Sequence, residues 1–471
     1  MRSLTAASRA GAIARHMATS SASPPRPDDK ESPVTFSEKF SLRQFTLNRP
    51  QKLNTLDMHM LELLSPVLAY WEQAELPSVI MGTGSGRAFC AGGDVAVITE
   101  NLDNAAGREN AIRFFQREFG LDYFLALLST PYVAVMDGIT FGGGFGLAAA
   151  AAFRVATEKT LVAMPETKIG YFPDVGASYY LSRLDGEIVS GRTAFELGLA
   201  THYIPSNRIS ILSDRLAMVE KVSFEHVNNA LNELHGEREP SDPPSRFLGA
   251  IRNALDDAFS QRDVQGIIDR LNLYGSGEVS GSSAEVVRWA KDTLNMLEDR
   301  SPTSLKVALK AVRKGKTMSL LEAFDMEMGM ASVYCTGSVP DFKTGVSTVI
   351  REKLRTRPAW TPSTLADVPD VDIEKTFFEV AGAKRLQLEY PPFVVDRQPR
   401  DPMAYALPTE ERIRRLVKGE DKKSTGTALT LEELLKEVDN LTGFKPGTRD
   451  KVLETIDRKC VLDEGVYLRW K

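Results

Sequence analysis

Apolar and polar positions follow regular periods along most of residues 33–368, and their order predicts an α/β protein. Residues 34–50 alternate between apolar and polar side chains, which predicts one or two strands ending at Pro50. Residues 55–74 have apolar side chains at helical spacing, and residues 76–86 return to a short buried strand with a glycine turn. The order strand, strand, helix, strand is typical of a layered α/β core.

The same order recurs further along the chain. Residues 109–129 have helical periodicity, and YVAVMDG (132–138) predicts a buried strand. A glycine triplet follows, then a short helix over 145–153 and one strand over 154–165. A membrane span over 132–156 would place Asp137, Arg154 and several glycines in or beside hydrocarbon, which is costly without partners. The soluble interpretation is therefore favoured.

From about residue 280 onward, the pattern predicts helices with explicit start signals. Capping-box spacing or a serine followed by proline marks three of these starts: Ser282 with Glu285, Ser301 with Pro302, and Ser319 with Glu322. Beyond residue 368 the chain becomes rich in proline and then predicts two short helices, the first capped by Thr430 with Glu433. We divide the chain into segment 1–32, a main domain 33–368 and an appended arm 369–471.

Composition narrows the class of protein. The 471 residues are 42% hydrophobic and 26% charged, as in soluble globular proteins, and the net charge of -5 gives no reason to expect nucleic acid or an anionic membrane as the main partner. The three cysteines lie far apart, which argues against a disulfide framework. The five histidines have no metal-ligand spacing, so we predict no metal site.

The N-terminal segment predicts a cellular location. It has four arginines, many serines and alanines, and no acidic residue before Asp28. That composition is typical of a mitochondrial transit peptide, which predicts a protein of the mitochondrial matrix. A disordered tail without a targeting role is the alternative.

Two glycine-rich turns are candidates for chemistry. CAGGDV (90–95) and FGGGFG (141–146) each follow an apolar strand and precede a predicted helix. Glycine permits close approach to the backbone, and amides at a helix start have no intrahelical acceptor, so two such turns can bind one developing oxyanion. Each turn alone is more simply a tight turn that needs positive φ. The segments GTGSGRAF (82–89) and KGKT (314–317) lack the spacing of nucleotide-binding loops.

Two carboxylates add to this picture. In AMPETKIGYFPDVGAS, Glu166 and Asp174 each follow a proline among apolar and aromatic side chains. A carboxylate in such surroundings tends to have a raised pKa, which suits general acid and base catalysis. Taken singly, each is more often a helix cap or a loop acid. Cys90 has no recognised nucleophile motif around it, and we interpret it as a packed residue at a strand end.

Together, RAFCAGGD, DGITFGGGFGL, ATEKTLVAMPETKIGYFPDVGAS and GLATHYI resemble the crotonase superfamily, and within it the 3-hydroxyisobutyryl-CoA hydrolases. The resemblance covers about residues 33–368 and implies a spiral of repeated ββα turns with a helical C-terminal part. It also implies hydrolysis of 3-hydroxyisobutyryl-CoA in valine catabolism. CoA is then part of the substrate, and no separate cofactor is implied.

The same resemblance implies roles for individual residues. The amides of Gly93 and Gly143 correspond to the oxyanion hole, Glu166 and Asp174 to the catalytic carboxylates, and Glu118 to a substrate contact. Gly143, Glu166 and Asp174 also correspond to substrate-binding positions. Arg49 or Lys52 lies in a segment that follows CoA in the family.

Two departures keep other functions open. Hydratases of the superfamily have a second glutamate where this chain has Gly146, which favours hydrolysis over hydration. The hydrolases also have about ten more residues between Ile188 and Val189, forming a helix behind the active site; without it, either neighbouring segments fill the gap or the activity is impaired.

The long arm leaves a structural role in the small subunit of the mitochondrial ribosome as the alternative function, and a hydratase or isomerase is less favoured. Acyl-CoA is the expected partner, no membrane is expected, and a homo-oligomer stays open.

Overall fold

The computed structural model describes residues 31–100, 102–183, 189–238, 242, 245, 247–380, 386–420, 428–463 and 465–471. The predicted transit peptide lies outside these ranges except for its last two residues. The junction Ile188–Val189, where the chain is shorter than the hydrolases, adjoins residues 184–188, which are also outside the described residues.

Two sheets form the centre of the main domain. The larger sheet contains, in spatial order, β1 (Val34–Lys39), β2 (Leu42–Leu47), β3 (Val79–Gly84), β5 (Tyr132–Met136), β7 (Phe153–Ala156) and β10 (His202–Tyr203). The smaller sheet contains β4 (Ala88–Cys90), β6 (Ile139–Phe141), β8 (Leu161–Ala163) and β9 (Val189–Ser190). Apart from the antiparallel pairs β1–β2 and β8–β9, neighbouring strands in both sheets are parallel.

The chain alternates between these sheets. β3, β5 and β7 each enter the larger sheet, and the next strand, β4, β6 or β8, enters the smaller one. A helical segment then returns the chain to the start of the next turn, which gives a spiral of ββα repeats. The helices of the main domain are α1 (Met58–Glu72), α2 (Val95–Ile98), α3 (Ala105–Ala126), α4 (Gly143–Ala149), α5 (Ala177–Leu181), α6 (Arg192–Glu196), α7 (Ile209–Ala217), α8 (Phe224–Asn232), α9 (Gly249–Phe259), α10 (Val264–Ser276), α11 (Ala284–Glu298), α12 (Pro302–Gly315), α13 (Leu320–Cys335) and α14 (Asp341–Gly345).

Several predicted boundaries were wrong. The predicted strand 154–165 is two strands in different sheets, because a turn at Thr157–Thr160 carries the chain from one sheet to the other. The helix predicted over 145–153 begins at the glycine triplet and ends at Ala149. Ser283, not Ser282, caps α11 by accepting a hydrogen bond from the Val286 amide.

Other predicted helix starts agree with the structure. Ser319 and Glu322 form a complete capping box at α13, and Ser301 caps α12 with Pro302 at its first position. Cys90 ends β4 and is fully buried, and this burial raises the pKa of its thiol to about 12, which does not suit a thiolate nucleophile. None of the helices in the described part of the chain is both long and apolar enough to cross a bilayer.

The arm contains more structure than the two helices predicted for it. It has α15 (Asp370–Ile373), α16 (Glu410–Val417), α17 (Leu431–Thr442), α18 (Thr448–Lys459) and a hairpin of β11 (Cys460–Asp463) and β12 (Tyr467–Trp470). Thr430 and Glu433 form the predicted capping box at α17. The last three helices and the hairpin bury a core of their own.

Between α15 and α16, the arm lies against α3 at Glu389. The backbone carbonyl of Glu389 lies so close to Gly120 that a side chain at position 120 would overlap it. The Glu389 amide donates to the carbonyl of Gln116, and the Glu389 carboxylate pairs with Arg117 at 3.0 Å. The arm therefore packs along the helix that also carries Glu118.

A buried arginine links the arm to the spiral. Arg154 on β7 is 3% exposed, and its guanidinium donates to the carbonyls of Leu199 and Ala151 at 2.7 and 3.0 Å and to Pro402 of the arm at 2.8 Å. We expect Arg154→Met to lower the free energy of unfolding by about 2–4 kcal/mol, since it leaves several buried carbonyls without donors. Urea denaturation measures this loss.

The matched control is Arg400→Met. Arg400 is exposed and its guanidinium stacks on the Phe224 ring at 3.6 Å, so its loss should cost about 0.5–1 kcal/mol. Equal costs for the two variants would show that the buried carbonyl contacts do not hold the arm.

Candidate active site

Three neighbouring strand ends in the smaller sheet bring the candidate residues together. β4, β6 and β8 are adjacent and parallel, with Cys90 beside Thr140 and Phe141 beside Ala163. Because the carboxyl ends of parallel strands lie at one edge of a sheet, the segments that follow them share that edge. These segments are Gly92–Gly93, Gly142–Gly144 and Pro165–Glu166.

The first segment is fixed by pairing with the chain before α1. The Leu56 amide donates to the carbonyl of Gly92, and the Asp94 amide donates to the carbonyl of Leu56, both at 2.8 Å. Gly92 has φ of +102°, which favours glycine. The amide of Gly93, between these bonded groups, donates to no backbone acceptor in the described residues.

The second segment begins α4. Gly142 has φ of +47°, and Gly143 is the first residue of the helix, so its amide has no intrahelical acceptor. A side chain at Gly144 would overlap the carbonyl oxygen of Cys90 at the end of β4. The glycine triplet therefore lets α4 start directly against the neighbouring strand.

The two turns converge. A Cβ atom at position 143 would lie 3.4 Å from the amide nitrogen of Gly93, and a Cβ atom at position 92 would lie 3.6 Å from the amide nitrogen of Gly143. The structure thus brings the two predicted oxyanion-hole residues into one small volume, where neither amide has a backbone acceptor among the described residues.

Two glutamates face the same volume. Glu118 Oε1 lies 3.7 Å from a Cβ position at Gly93 and would overlap a side chain at Gly143. Glu166 Oε1 lies 2.8 Å from a Cβ position at Gly142. Burial raises the pKa of both carboxyls to about 8, and the charge of Glu118 adds to the rise at Glu166. Both predicted glutamates therefore lie at the glycine turns.

Asp174 belongs to the same acidic group. It is 5% exposed in the turn before α5, and burial raises its pKa well above the usual value, with the charges of Glu118 and Glu166 raising it further. The described residues contain no group of three or more histidine, cysteine, aspartate or glutamate side chains arranged to hold a metal ion. Burial and mutual repulsion thus favour the protonated forms of these carboxyls.

Sequence patterns missed two further buried carboxylates, Asp122 on α3 and Glu327 on α13. Burial raises the pKa of Asp122 well above its usual value, and neither of its oxygens has a hydrogen-bond partner in the described residues. The helical spacing of Glu118 and Asp122 could have placed both on one face of α3. No local signal in the sequence marks Glu327.

The space beside Gly146 is already filled. A side chain there would overlap Asp122 Oδ2 and would lie 2.6 Å from Val175 Cβ. We expect Gly146→Glu not to hydrate crotonyl-CoA and to lower the free energy of unfolding by about 1–3 kcal/mol, because the new side chain overpacks this space. Absorbance of the enoyl thioester and urea denaturation measure the two effects.

A matched pair of variants tests the cause. Gly146→Ala should be less destabilising when Asp122→Ala is also present, since the second change makes room for the methyl group. Hydration of crotonyl-CoA by the single glutamate variant would contradict this explanation.

A cavity of about 330 Å³ opens next to Gly93, with Leu56, Asp94 and Phe114 among its lining residues. The Phe114 ring lies 3.3 Å from a Cβ position at Gly93.

Two cations, Arg49 and Lys52, were assigned to CoA by resemblance. Arg49 is largely buried and pairs with Asp57 and Asp94. Lys52 also pairs with Asp94, but its side chain is about half exposed, so it is the more accessible of the two cations.

A second, apolar cavity of about 390 Å³ lies between the smaller sheet and helices α9 to α12. Phe145, Val162, Leu181 and Leu309 are among its lining residues. Leu181 is close in sequence to the shortened connection, and residues 184–188 of that connection lie outside the described residues. The gap behind the site thus stays a prediction.

Comparison with known proteins identifies relatives of two kinds. Residues 42–377 match the family described as Enoyl-CoA hydratase/isomerase. The chain is 33% identical over 472 residues to the small ribosomal subunit protein mS47 of Neurospora crassa, covering 94% of this chain and 89% of that protein. It is 35% identical over 353 residues to the mitochondrial 3-hydroxyisobutyryl-CoA hydrolase of Rattus norvegicus, covering 73% and 87%. Among solved structures, a carnitinyl-CoA dehydratase from Mycobacterium thermoresistibile has a TM-score of 0.64 and 30% identity, covering 76% of this chain and 99% of that one.

Proposed function

Since this chain belongs to the enoyl-CoA hydratase/isomerase family, we propose that it is a mitochondrial acyl-CoA thioester hydrolase that converts 3-hydroxyisobutyryl-CoA to 3-hydroxyisobutyrate and CoA. The reaction consumes one water, breaks the carbon–sulfur bond and releases the CoA thiol. In the cell it serves valine catabolism in the mitochondrial matrix.

The proposed chemistry uses the convergent groups. The amides of Gly93 and Gly143 bind the thioester oxygen as it becomes negative, and a donor of this kind typically contributes about 2.7–4 kcal/mol to lowering the barrier. Glu166 acts on the carbonyl carbon, either directly as the nucleophile or through a water that it deprotonates. Asp174 binds the acyl hydroxyl or assists proton transfer, and Glu118 contacts the substrate.

One observation carries the choice of hydrolysis over hydration. The carboxylate of Glu166 faces the glycine turn, while the second carboxylate that hydratases use is replaced by Gly146, against which Asp122 and Val175 pack. Adding water across a double bond needs two proton-transfer groups flanking the acyl chain. Hydrolysis needs an oxyanion site and one group that drives attack.

A thioesterase assay tests this function. The protein lacking its first 32 residues is incubated with 3-hydroxyisobutyryl-CoA, and free thiol is measured. Release of CoA from this substrate and not from acetyl-CoA supports the proposal. Failure to release CoA from any short 3-hydroxyacyl-CoA would reject it.

A second candidate function is a structural role in the small subunit of the mitochondrial ribosome. The alignment with mS47 covers 94% of this chain, and the uncovered 6% is much shorter than the arm 369–471, so most of the arm must be included. The alignment with the rat hydrolase covers only 73%, and the family match ends at residue 377. The arm is thus a feature shared with the ribosomal relative.

Sedimentation of mitochondrial extracts distinguishes the two roles. A free enzyme stays near the top of a sucrose gradient, whereas a ribosomal protein moves with the small subunit. Deletion of residues 386–471 should remove any co-sedimentation if the arm is the point of attachment. Absence of the full chain from the ribosomal fractions would reject the second function.

A further inference from the structure

Glu327 is a fully buried carboxylate outside the group of residues assigned by resemblance. It lies on α13, and its Oε2 accepts a hydrogen bond from the Gly176 amide at 2.6 Å. Its Oε1 accepts from the Ser178 amide at 2.9 Å and from the Ser178 hydroxyl at 2.5 Å. One side chain thus satisfies the first donors of α5 from a different helix.

The segment that these bonds hold is the turn carrying Asp174. Val175 has φ of +53° and Gly176 has φ of +81°, and the former is unfavourable for a β-branched residue. The Ala177 amide donates to the carbonyl of Asp174 at 2.8 Å. Such a backbone conformation persists only where its surroundings enforce it.

The packing around this turn shows what enforces it. Val175 Cβ lies against Gly146 of α4, and a side chain at Gly176 would lie 3.1 Å from the Phe324 ring of α13. Residue 176 is the N-cap of α5 and provides no side-chain acceptor of its own. Glu327 supplies that acceptor, so the turn is clamped between α4 and α13.

We infer that Glu327 is a positioning residue, which fixes the turn from Pro173 to Ser178 and so holds the Asp174 carboxylate at the site. This inference rests on the proposed hydrolase function for its kinetic consequences. Its structural part, the clamping of the turn, does not depend on which substrate is used.

Glu327 also acts on Asp174 through its charge. The ionisable groups that influence Asp174 or are influenced by it are Glu118, Glu166, Tyr171, Glu327 and Cys335. The negative charge of Glu327 raises the pKa of Asp174, after burial and the two glutamates. Replacing Glu327 with a neutral residue should therefore lower the pKa of Asp174.

Glu327→Gln tests the inference. The amide side chain has one acceptor atom where the carboxylate has two, so at least one of the bonds to the turn is lost. We expect kcat to fall by about tenfold to a hundredfold with KM changed less than about threefold, since misplacement of a reacting group acts on the chemical step. The limb of the pH–rate profile that reports Asp174 should move to lower pH.

The matched control is Glu322→Gln on the same helix. Glu322 is exposed and completes the capping box of α13, a position that glutamine can also fill, so the change removes a carboxylate charge from α13 without touching the turn. Wild-type kcat and pH profile are expected for this control. A folded Glu327→Gln variant with wild-type kcat and pH profile would overturn the inference.

Hydrogen exchange separates this inference from the proposed function. Peptides containing Gly176 and Ser178 should exchange faster in Glu327→Gln than in wild type or Glu322→Gln, whether or not any thioester is hydrolysed. Unchanged exchange overturns the inference, while inert wild-type protein with faster exchange rejects only the hydrolase function. If Glu327→Gln does not fold, Ser178→Ala removes one of the bonds, and unchanged exchange and kinetics in that variant overturn the inference.

Discussion

The Glu166→Gln variant is expected to lose thioester hydrolysis by a factor of about 10²–10⁴ while keeping its fold. Positioned general bases contribute accelerations of this size, and the amide can neither accept a proton from water nor attack the carbonyl. The change is nearly isosteric, and Glu166 Oε2 has no hydrogen-bond partner in the described residues that the amide would lose. CoA release from 3-hydroxyisobutyryl-CoA measures the loss.

The control is Glu158→Gln, an exposed glutamate on the turn between β7 and β8. Its rate should match the wild type. Residual activity of Glu166→Gln within tenfold of the wild type would show that another group drives the reaction.

The same variant has a predicted effect on stability. Because burial raises the pKa of Glu166 from 4.5 to about 8, the folded state favours the protonated form. The stabilisation of the folded state by the protonated Glu166 side chain is fully present below pH 4.5, and it is lost as pH rises through about 8. The free energy of unfolding of Glu166→Gln, relative to that of the wild type, should therefore be higher at pH 8 than at pH 4 by on the order of 4 kcal/mol, measured by urea denaturation. An equal effect at both values would contradict the raised pKa.

The second large effect is expected for Gly143→Ala. The new methyl group would overlap Glu118 Oε1 and would lie 3.4 Å from the Gly93 amide nitrogen, inside the volume where the thioester oxygen is proposed to bind. The backbone amide of residue 143 is kept, but the methyl group would hold the thioester oxygen away from it; losing one oxyanion contact costs about 2.7–4 kcal/mol of barrier, so kcat should fall by about 10²–10³. Steady-state kinetics with 3-hydroxyisobutyryl-CoA measure it.

Gly93→Ala is the graded comparison. A methyl group there meets the edge of the Phe114 ring at 3.3 Å, a contact that a small shift can relieve. Its kcat should fall much less than that of Gly143→Ala. The reverse order, with Gly93→Ala the more damaging, would contradict the proposed geometry.

Much of the fold was predictable from local patterns. Helical periodicity located α1 and α3, alternation located β1 and β2, and the capping residues of α12, α13 and α17 were identified correctly. The predicted crotonase-like α/β fold is confirmed by the family match and the solved relative. Local errors occurred where tertiary contacts decide a boundary, as at Thr157–Thr160, where the chain changes sheets within one apolar run.

The sequence also predicted some residues of the candidate site and missed others. Gly93, Gly143, Glu118, Glu166 and Asp174 were predicted from motifs and their family resemblance, because these motifs are short and continuous in the sequence; their roles stay predictions. Asp122 and Glu327 were not, because their importance lies in what they face: a glycine on α4 for one and two amides of α5 for the other.

The sequence by itself determined the types of element and their order, since these follow from local spacing, and the family resemblance of its motifs supplied the candidate residues for acyl-CoA chemistry. Only the tertiary structure decided that three strand ends meet at one edge, that the space at Gly146 is filled, and that the arm packs along α3. These facts depend on contacts between residues far apart in the chain, which no local period encodes.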